Sequence, residues 1–288
     1  MKIYIDGEFY EKDQAKISVF DHGLLYGDGI FEGIRIYHNR VFRLKQHLSR
    51  LFRSAKYINL DPGVSLETME EIVLESCRRN ELSDGYIRLV VTRGVGSLGL
   101  APRTCPKASI ICIIDKLAIY PPEFYQRGLA LLTVSTRRNL VSALDPQTKT
   151  MNYLNNILAK LEAERSGFEE ALMLNAEGYV AEAAADNIFV IQGNQLSTPA
   201  TYLGALPGIT RAAVMEIAPA FGLQVSETHI TLPDVYGAEE CFLTGTAAEV
   251  IPVVEVDGRK IGNGKPGPKT NQLIERFHQL TREEGTAF

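Results

Sequence analysis

The sequence predicts an α/β (α+β) protein built as two domains. Three observations carry this. The chain has 288 residues, more than one hydrophobic core usually organises. Short β-branched runs alternate with stretches of helical period along its length. A proline pair, Pro121-Pro122, interrupts that alternation near the middle. The expected division is a smaller N-terminal α/β domain over 1–117, a linker over 118–125 and a larger C-terminal domain over 126–288.

Runs 3–9 and 17–20 are strand-like, with Asp6-Gly7 as a hairpin turn, a pair suited to φ > 0. The pattern repeats over 33–42 around His38-Asn39. Leu44, Leu48, Leu51, Phe52, Ala55 and Ile58 recur at three- and four-residue steps, which predicts a helix over 44–58. Its other face carries Lys45, Gln46, Arg50, Arg53 and Lys56. A second helix is predicted over 66–80, then strands over 86–92 and 108–115. Beyond the linker, strands at 129–135, 170–175, 186–192 and 240–243 alternate with helices at 153–166 and 208–221. An amphipathic helix closes the chain at about 268–280.

With 45% hydrophobic and 23% charged residues, the chain has the composition of an ordinary globular protein. Its net charge of -5 without a basic block argues against nucleic acid as a partner. The N-terminus lacks the long apolar stretch of a signal peptide, and no run reaches bilayer length, so a soluble cytoplasmic protein is expected. Cys77, Cys105, Cys112 and Cys241 include no CxxC pair, which suits reduced, packed thiols and no metal centre.

Gly94, Gly96 and Gly99 spell G-x-G-x-x-G after a predicted strand, the outline of a dinucleotide-binding turn. A helix must follow the last glycine in such a unit, yet residues 100–107 hold Pro102 and Pro106. The stretch is too short and broken for a crossover helix, so an antiparallel pair joined by a long glycine-rich loop is expected.

Four distant segments concentrate residues capable of chemistry. Residues 20–35 hold four glycines within a short span, with Tyr26, Phe31 and Arg35 among them; either a tight turn or close approach to a ligand would require this. Lys149 follows the turn-prone Asp145-Pro146 and precedes Tyr153; an amine there could attack a carbonyl, or could simply be solvated. Glu182 is set among alanines, where an acid is either exposed or needs a partner. Residues 206–211 open a predicted helix and 244–249 follow a strand; backbone N–H groups and threonine hydroxyls at such places can hold an anion.

Taken in order, these segments resemble the fold-type IV pyridoxal phosphate (PLP) enzymes, the family of branched-chain aminotransferases, D-amino acid aminotransferases and aminodeoxychorismate lyases. The resemblance runs from about Tyr4 to the last helix and rests most on Phe31-Glu32-Gly33-Ile34-Arg35, on 206–211, on 244–249 and on Gly267-Pro268-Lys269-Thr270. It implies a PLP site at the domain interface. By this resemblance Lys149 holds the cofactor and moves the proton, Glu182 pairs with the pyridine nitrogen, and Tyr153 bonds the ring oxygen. Arg50, Ile209, Thr210 and Thr246 hold the phosphate, and Leu206 packs on the ring. Tyr26, Phe31, Gly33 and Tyr86 would form the side-chain pocket. Tyr86 with the backbone of Thr246, Ala247 and Ala248 would receive the α-carboxylate, and Arg35 and Arg88 a distal one.

Tyr86-Ile87-Arg88 and the Phe31 motif favour the branched-chain branch, with Leu, Ile or Val and 2-oxoglutarate as substrates. Three other activities remain open: D-amino acid aminotransferase, aminodeoxychorismate lyase and an (R)-amine-accepting transaminase. The family also implies a homodimer or larger homo-oligomer, with Tyr120 and the loop 96–100 as candidate contributors to a neighbour's site.

Overall fold

The computed structural model describes residues 1–116 and 120–288; residue 117 and the first positions of the expected linker, 118 and 119, lie outside the described residues. The chain packs as two units. One comprises Met1–Leu117, Thr148–Asn152 and Thr281–Phe288, the other Ala118–Gln147 and Tyr153–Leu280. The segment holding Lys149 and the last eight residues thus group with the N-terminal unit.

In the first unit, strands β1 (Lys2–Ile5) and β2 (Glu8–Glu11) form the expected hairpin, with φ of 51° at Asp6. A short helix α1 (His22–Tyr26) leads into β3 (Gly29–Tyr37) and β4 (Arg40–Val41), turned by His38 and Asn39 at φ of 49° and 59°. Helices α2 (Leu44–Tyr57) and α3 (Leu66–Asn80) follow, then β5 (Gly85–Thr92) and β6 (Ser109–Asp115). The sheet runs from the C-terminal strand Thr286–Ala287 through β4, β3, β5, β6 and β1 to β2. β5 and β6 pair antiparallel across the glycine-rich loop, as expected once the dinucleotide turn is rejected.

Alternation gives this sheet two different faces. Ile30, Ile34 and Ile36 of β3 and Ile87, Leu89 and Val91 of β5 pack into one core with Leu44, Leu48 and Leu51 of α2 and Met69 and Val73 of α3. Phe31, Gly33 and Arg35, with Tyr86 and Arg88 of β5, occupy the alternate positions; the register pairs Gly33 with Arg88 and Arg35 with Tyr86. One sequence expectation is corrected. Residues 17–20 form no strand, because Ile17, Val19 and Phe20 are exposed and have no sheet to bury against. Arg50, on the polar face of α2 with the exposed Lys45, Gln46 and Arg53, is itself buried.

In the second unit, Pro121-Pro122 starts a helix, α4 (Pro122–Arg127), instead of continuing a linker, as proline's fixed φ favours the first helical position. Then come β7 (Leu129–Thr133), α5 (Leu154–Arg165), β8 (Glu170–Leu174), β9 (Val180–Ala183), β10 (Asn187–Gln192) and β11 (Gln195–Pro199). They are followed by α6 (Ile209–Ile217), β12 (Gln224–Thr228), α7 (Leu232–Tyr236), β13 (Glu240–Gly245), β14 (Glu249–Val256), β15 (Arg259–Lys260) and α8 (Pro268–Glu283). The sheet order is β12-β11-β10-β13-β14-β7-β8-β9, with β15 on β14. Its parallel pairs are β7 with β8, β14 with β7 and β11 with β12.

Leu131, Leu172, Ile188, Leu243 and Ile251 build one core, while Ala171 and Met173 meet Ala159 and Ala163 of α5 on the opposite face. The four cysteines are free, three of them buried, and burial pushes the Cys112 thiol up to about 12. No helix among the described residues is long and apolar enough to cross a membrane.

The Gly267-Pro268-Lys269-Thr270 motif owes its form to a buried carboxylate. Glu240 accepts from the backbone N–H groups of Lys269 and Thr270 and from the Thr270 hydroxyl, at 3.1, 2.7 and 2.7 Å. It thereby satisfies the first turn of α8. Glu240→Ala is expected to leave these donors unpaired and cost roughly 1–3 kcal/mol. Thermal melting reads this as a Tm lower by several degrees, and an unchanged Tm would show that the cap is dispensable.

Candidate active site

Lys149 is placed by its backbone. The Thr150–Ile30 bridge, Phe31 N–H to Lys149 O at 3.1 Å and Met151 N–H to Gly29 O at 2.9 Å add residues 149–151 to the edge of β3 that β5 leaves open. The Lys149 N–H donates to the Ser54 hydroxyl of α2 at 3.1 Å. So held, Nζ lies 4.4 Å from the centre of the Phe31 ring. The Arg88 guanidinium stands 4.6 Å over the same ring and 5.4 Å over Tyr86. Arg35 lies over Tyr37 at 5.0 Å. A cation within about 6 Å of a ring centre is attracted by the ring's quadrupole.

Gly33 belongs to this cluster because a Cβ there would come within 1.9 Å of the Tyr86 hydroxyl. Lys149, Phe31, Gly33, Tyr86 and Arg88 are therefore brought together by direct contacts. Tyr26 packs edge-on against His22 at 5.0 Å and is part exposed.

Arg50 sits on the other face of β3. There Glu32 occupies a core position between Ile30 and Ile34 and is fully buried. Arg50 donates from Nε and Nη2 to its two carboxylate oxygens, each at 2.7 Å, and His47 Nδ1 donates to Oε2 at 2.7 Å. Burial alone would raise the Glu32 pKa, but the Arg50 charge and the hydrogen bonds from Arg50 and His47 outweigh it and hold the carboxyl at about 2. Burial lowers the His47 pKa against the pull of Glu32, with Arg50 and Lys149 adding to the lowering.

Both groups make the protein acid-sensitive. Glu32 gives stability that is complete above the unfolded value of 4.5 and lost as pH falls toward 2. His47 resists a proton that the unfolded chain takes up below 6.5, which also costs stability on acidification. The Glu32 contribution is roughly 3 kcal/mol. Tm is expected to fall from about pH 6.5 downward and most steeply below 4.5, where Glu32→Gln should flatten the curve. A variant retaining the wild-type slope there would remove Glu32 from the account.

In the second unit Glu182, on β9, is nearly buried and paired throughout. Arg138 Nε donates to Oε1 at 2.9 Å, while Leu206 N–H and Asn187 Nδ2 donate to Oε2 at 2.9 and 3.2 Å. Asn187 Nδ2 also reaches Leu206 O at 2.9 Å. The carboxylate is thus tied to residues 206–211. Gly208 caps α6 with no side-chain bond to its first turn, and Thr210 is buried one step inside. Thr246, Ala247 and Ala248 form the turn between β13 and β14, where Tyr125 donates to Ala248 O at 3.1 Å. Both stretches lie against the turn from β9 into β10: a Cβ at Gly208 would clash with Asn187 Oδ1, and one at Gly245 with Asp186 Oδ1. Leu206 and Ile209 are half-buried beside them, and Tyr153 precedes α5 as its N-cap.

Sequence reasoning missed Arg138, Asn187, His47 and the role of Glu32. Only Glu32 carried a signal, as an acid in an isoleucine series that must be paired if buried.

The first unit holds a side-chain amine against aromatic rings, and the second unit holds a buried carboxylate bound by arginine and an uncapped helix start; each is a group that an aldehyde cofactor bearing a phosphate can use. The Thr244 hydroxyl, buried and without a hydrogen-bond partner on the strand register beside Asn187, agrees with an anion near this helix. The family model for amino-transferase class IV matches residues 29–256, and the chain belongs to that family. A Methanocaldococcus jannaschii protein is 49% identical over 99% of this chain and 98% of its own length. The branched-chain-amino-acid aminotransferase of Pseudomonas aeruginosa is 38% identical over 96% of this chain and 92% of its own. The crystal structure of the Escherichia coli branched-chain amino acid aminotransferase superposes with a TM-score of 0.94 at 33% identity, covering 97% of this chain and 94% of that one.

Proposed function

We propose that this class IV aminotransferase transfers amino groups between Leu, Ile or Val and 2-oxoglutarate, giving branched-chain 2-oxo acids and glutamate, with PLP as cofactor. The observation that carries it is the cluster of Lys149, Phe31, Tyr86 and Arg88, where one amine, an apolar ring surface and a second cation meet. A second solved branched-chain amino acid aminotransferase, 36% identical to this chain, supports the cofactor and one substrate: its structures are described with pyridoxamine 5'-phosphate and with N-(5'-phosphopyridoxyl)-L-glutamate.

When bound, PLP supplies the electron sink that makes the substrate α-hydrogen acidic. The chain does the rest. Lys149 Nζ would hold the cofactor and would carry the proton from and back to the substrate carbon. Glu182, oriented by Arg138, would pair with the pyridine nitrogen and favour its protonated form. Tyr153 bonds the ring oxygen. Arg50, Ile209, Thr210 and Thr246 hold the phosphate and Leu206 supports the ring. Tyr26, Phe31, Gly33 and Tyr86 enclose the apolar side chain, and Thr246, Ala247 and Ala248 receive the α-carboxylate with Tyr86. Arg35 and Arg88 accept the second carboxylate of glutamate. One pocket then serves both an apolar and an acidic side chain.

Purified protein mixed with L-leucine and 2-oxoglutarate should form glutamate. An intact visible cofactor band without glutamate would favour the lyase or another amino donor.

The protein is further proposed to act as a cytoplasmic homodimer or larger homo-oligomer. Leu154, Ile157, Leu158 and Leu161 expose an apolar side of α5, and Leu98 and Leu100 are more than 70% exposed in the loop after β5. Such surfaces call for a partner. Tyr120, by contrast, is buried against Glu170 within its own unit.

A further inference from the structure

We infer that Glu32, backed by His47, is the positioning residue that presents Arg50 to the cofactor phosphate. This rests on the reading of Arg50 as a phosphate ligand. Glu32 takes a core position of β3, where a carboxylate is costly unless its oxygens are used. Both are used: Arg50 spans them side-on at 2.7 Å each, and His47, one turn earlier on α2, adds a third bond at 2.7 Å. A guanidinium held by a carboxylate in this fork has its plane fixed before any ligand arrives.

An unheld arginine would lose side-chain freedom on binding, so holding it beforehand favours binding. The same helix takes the Lys149 N–H at Ser54. One face of α2 therefore registers both the arginine and the lysine backbone.

Positioning and simple charge attraction predict opposite signs. Glu32 neutralises Arg50, so its loss would tighten phosphate binding if net charge governed, and weaken it if orientation governs. The test titrates full-length apoprotein with PLP by visible absorbance, and with inorganic phosphate as competitor, for wild type, Glu32→Gln, His47→Gln and Arg50→Ala. kcat and KM for L-leucine are then measured at saturating PLP.

Glu32→Gln is expected to weaken PLP and phosphate roughly 10- to 100-fold, by analogy with the loss of a residue that orients a metal ligand. kcat at saturation should stay within about threefold, because proton transfer at Lys149 is untouched. His47→Gln, which keeps the Arg50 fork, should weaken PLP in the same direction by less and serves if the glutamine variant does not fold. Unchanged or tighter binding in both, with only a lower Tm, would reduce Glu32 to a structural ion pair and overturn the inference. If Arg50→Ala itself leaves PLP affinity unchanged, the phosphate reading of Arg50 falls instead.

Discussion

Lys149→Ala is expected to abolish the visible band of the bound cofactor and to lower turnover by about ten-thousand-fold or more, since one group both attaches the cofactor and moves the proton. The change isolates chemistry from folding. The bonds that hold this segment, Phe31 N–H to Lys149 O and Lys149 N–H to the Ser54 hydroxyl, are made by the backbone and survive in alanine. Tm should therefore move little while the spectrum and the assay both collapse. Retained glutamate formation with L-leucine and 2-oxoglutarate would refute the role.

Glu182→Gln should divide the two functions of that site. Glutamine keeps the length of the side chain and can still accept from Arg138 or Leu206, so PLP should bind within about tenfold of wild type. The lost charge is what keeps the pyridine nitrogen protonated, and removing such electrostatic support costs about 100- to 1000-fold in turnover. Stability falls too, because Arg138 is 7% exposed and loses its counter-charge. Breaking a buried pair costs roughly 3–5 kcal/mol. A melting curve and a turnover assay measure the two losses separately. Turnover at wild-type rate would exclude Glu182 as the partner of the ring nitrogen.

Elements defined by local chemistry were legible in the sequence. The apolar period of 44–58 marks α2, the Asp6-Gly7 and His38-Asn39 turns mark two hairpins, and Pro102 and Pro106 reveal β5 and β6 as antiparallel neighbours. Elements whose form depends on distant contacts were not. The run 17–20 has strand-like residues but no strand to pair with, and α4 appears as a linker until Pro122 is placed at its start.

The candidate site divides the same way. Lys149 and Glu182 stand out by motif order, whereas Arg138 acts on a carboxylate 44 positions away and nothing local marks it. Arg50 stands among the polar residues of the 44–58 helix in the sequence, but nothing local marks its partner, an acid on β3.

The five residues Thr148–Asn152 belong to the first unit although the chain on either side, Ala118–Gln147 and Tyr153–Leu280, belongs to the second. The first unit also needs Thr281–Phe288, whose strand Thr286–Ala287 closes the sheet edge at β4. No single cut yields either unit whole. A ribosome making this chain emits β4 long before the strand that closes its edge, so the N-terminal unit stays incomplete while the second unit is being made, unlike an independent leading domain. Completion waits for Thr286–Ala287, and deleting Thr281–Phe288 should damage the unit that holds Met1.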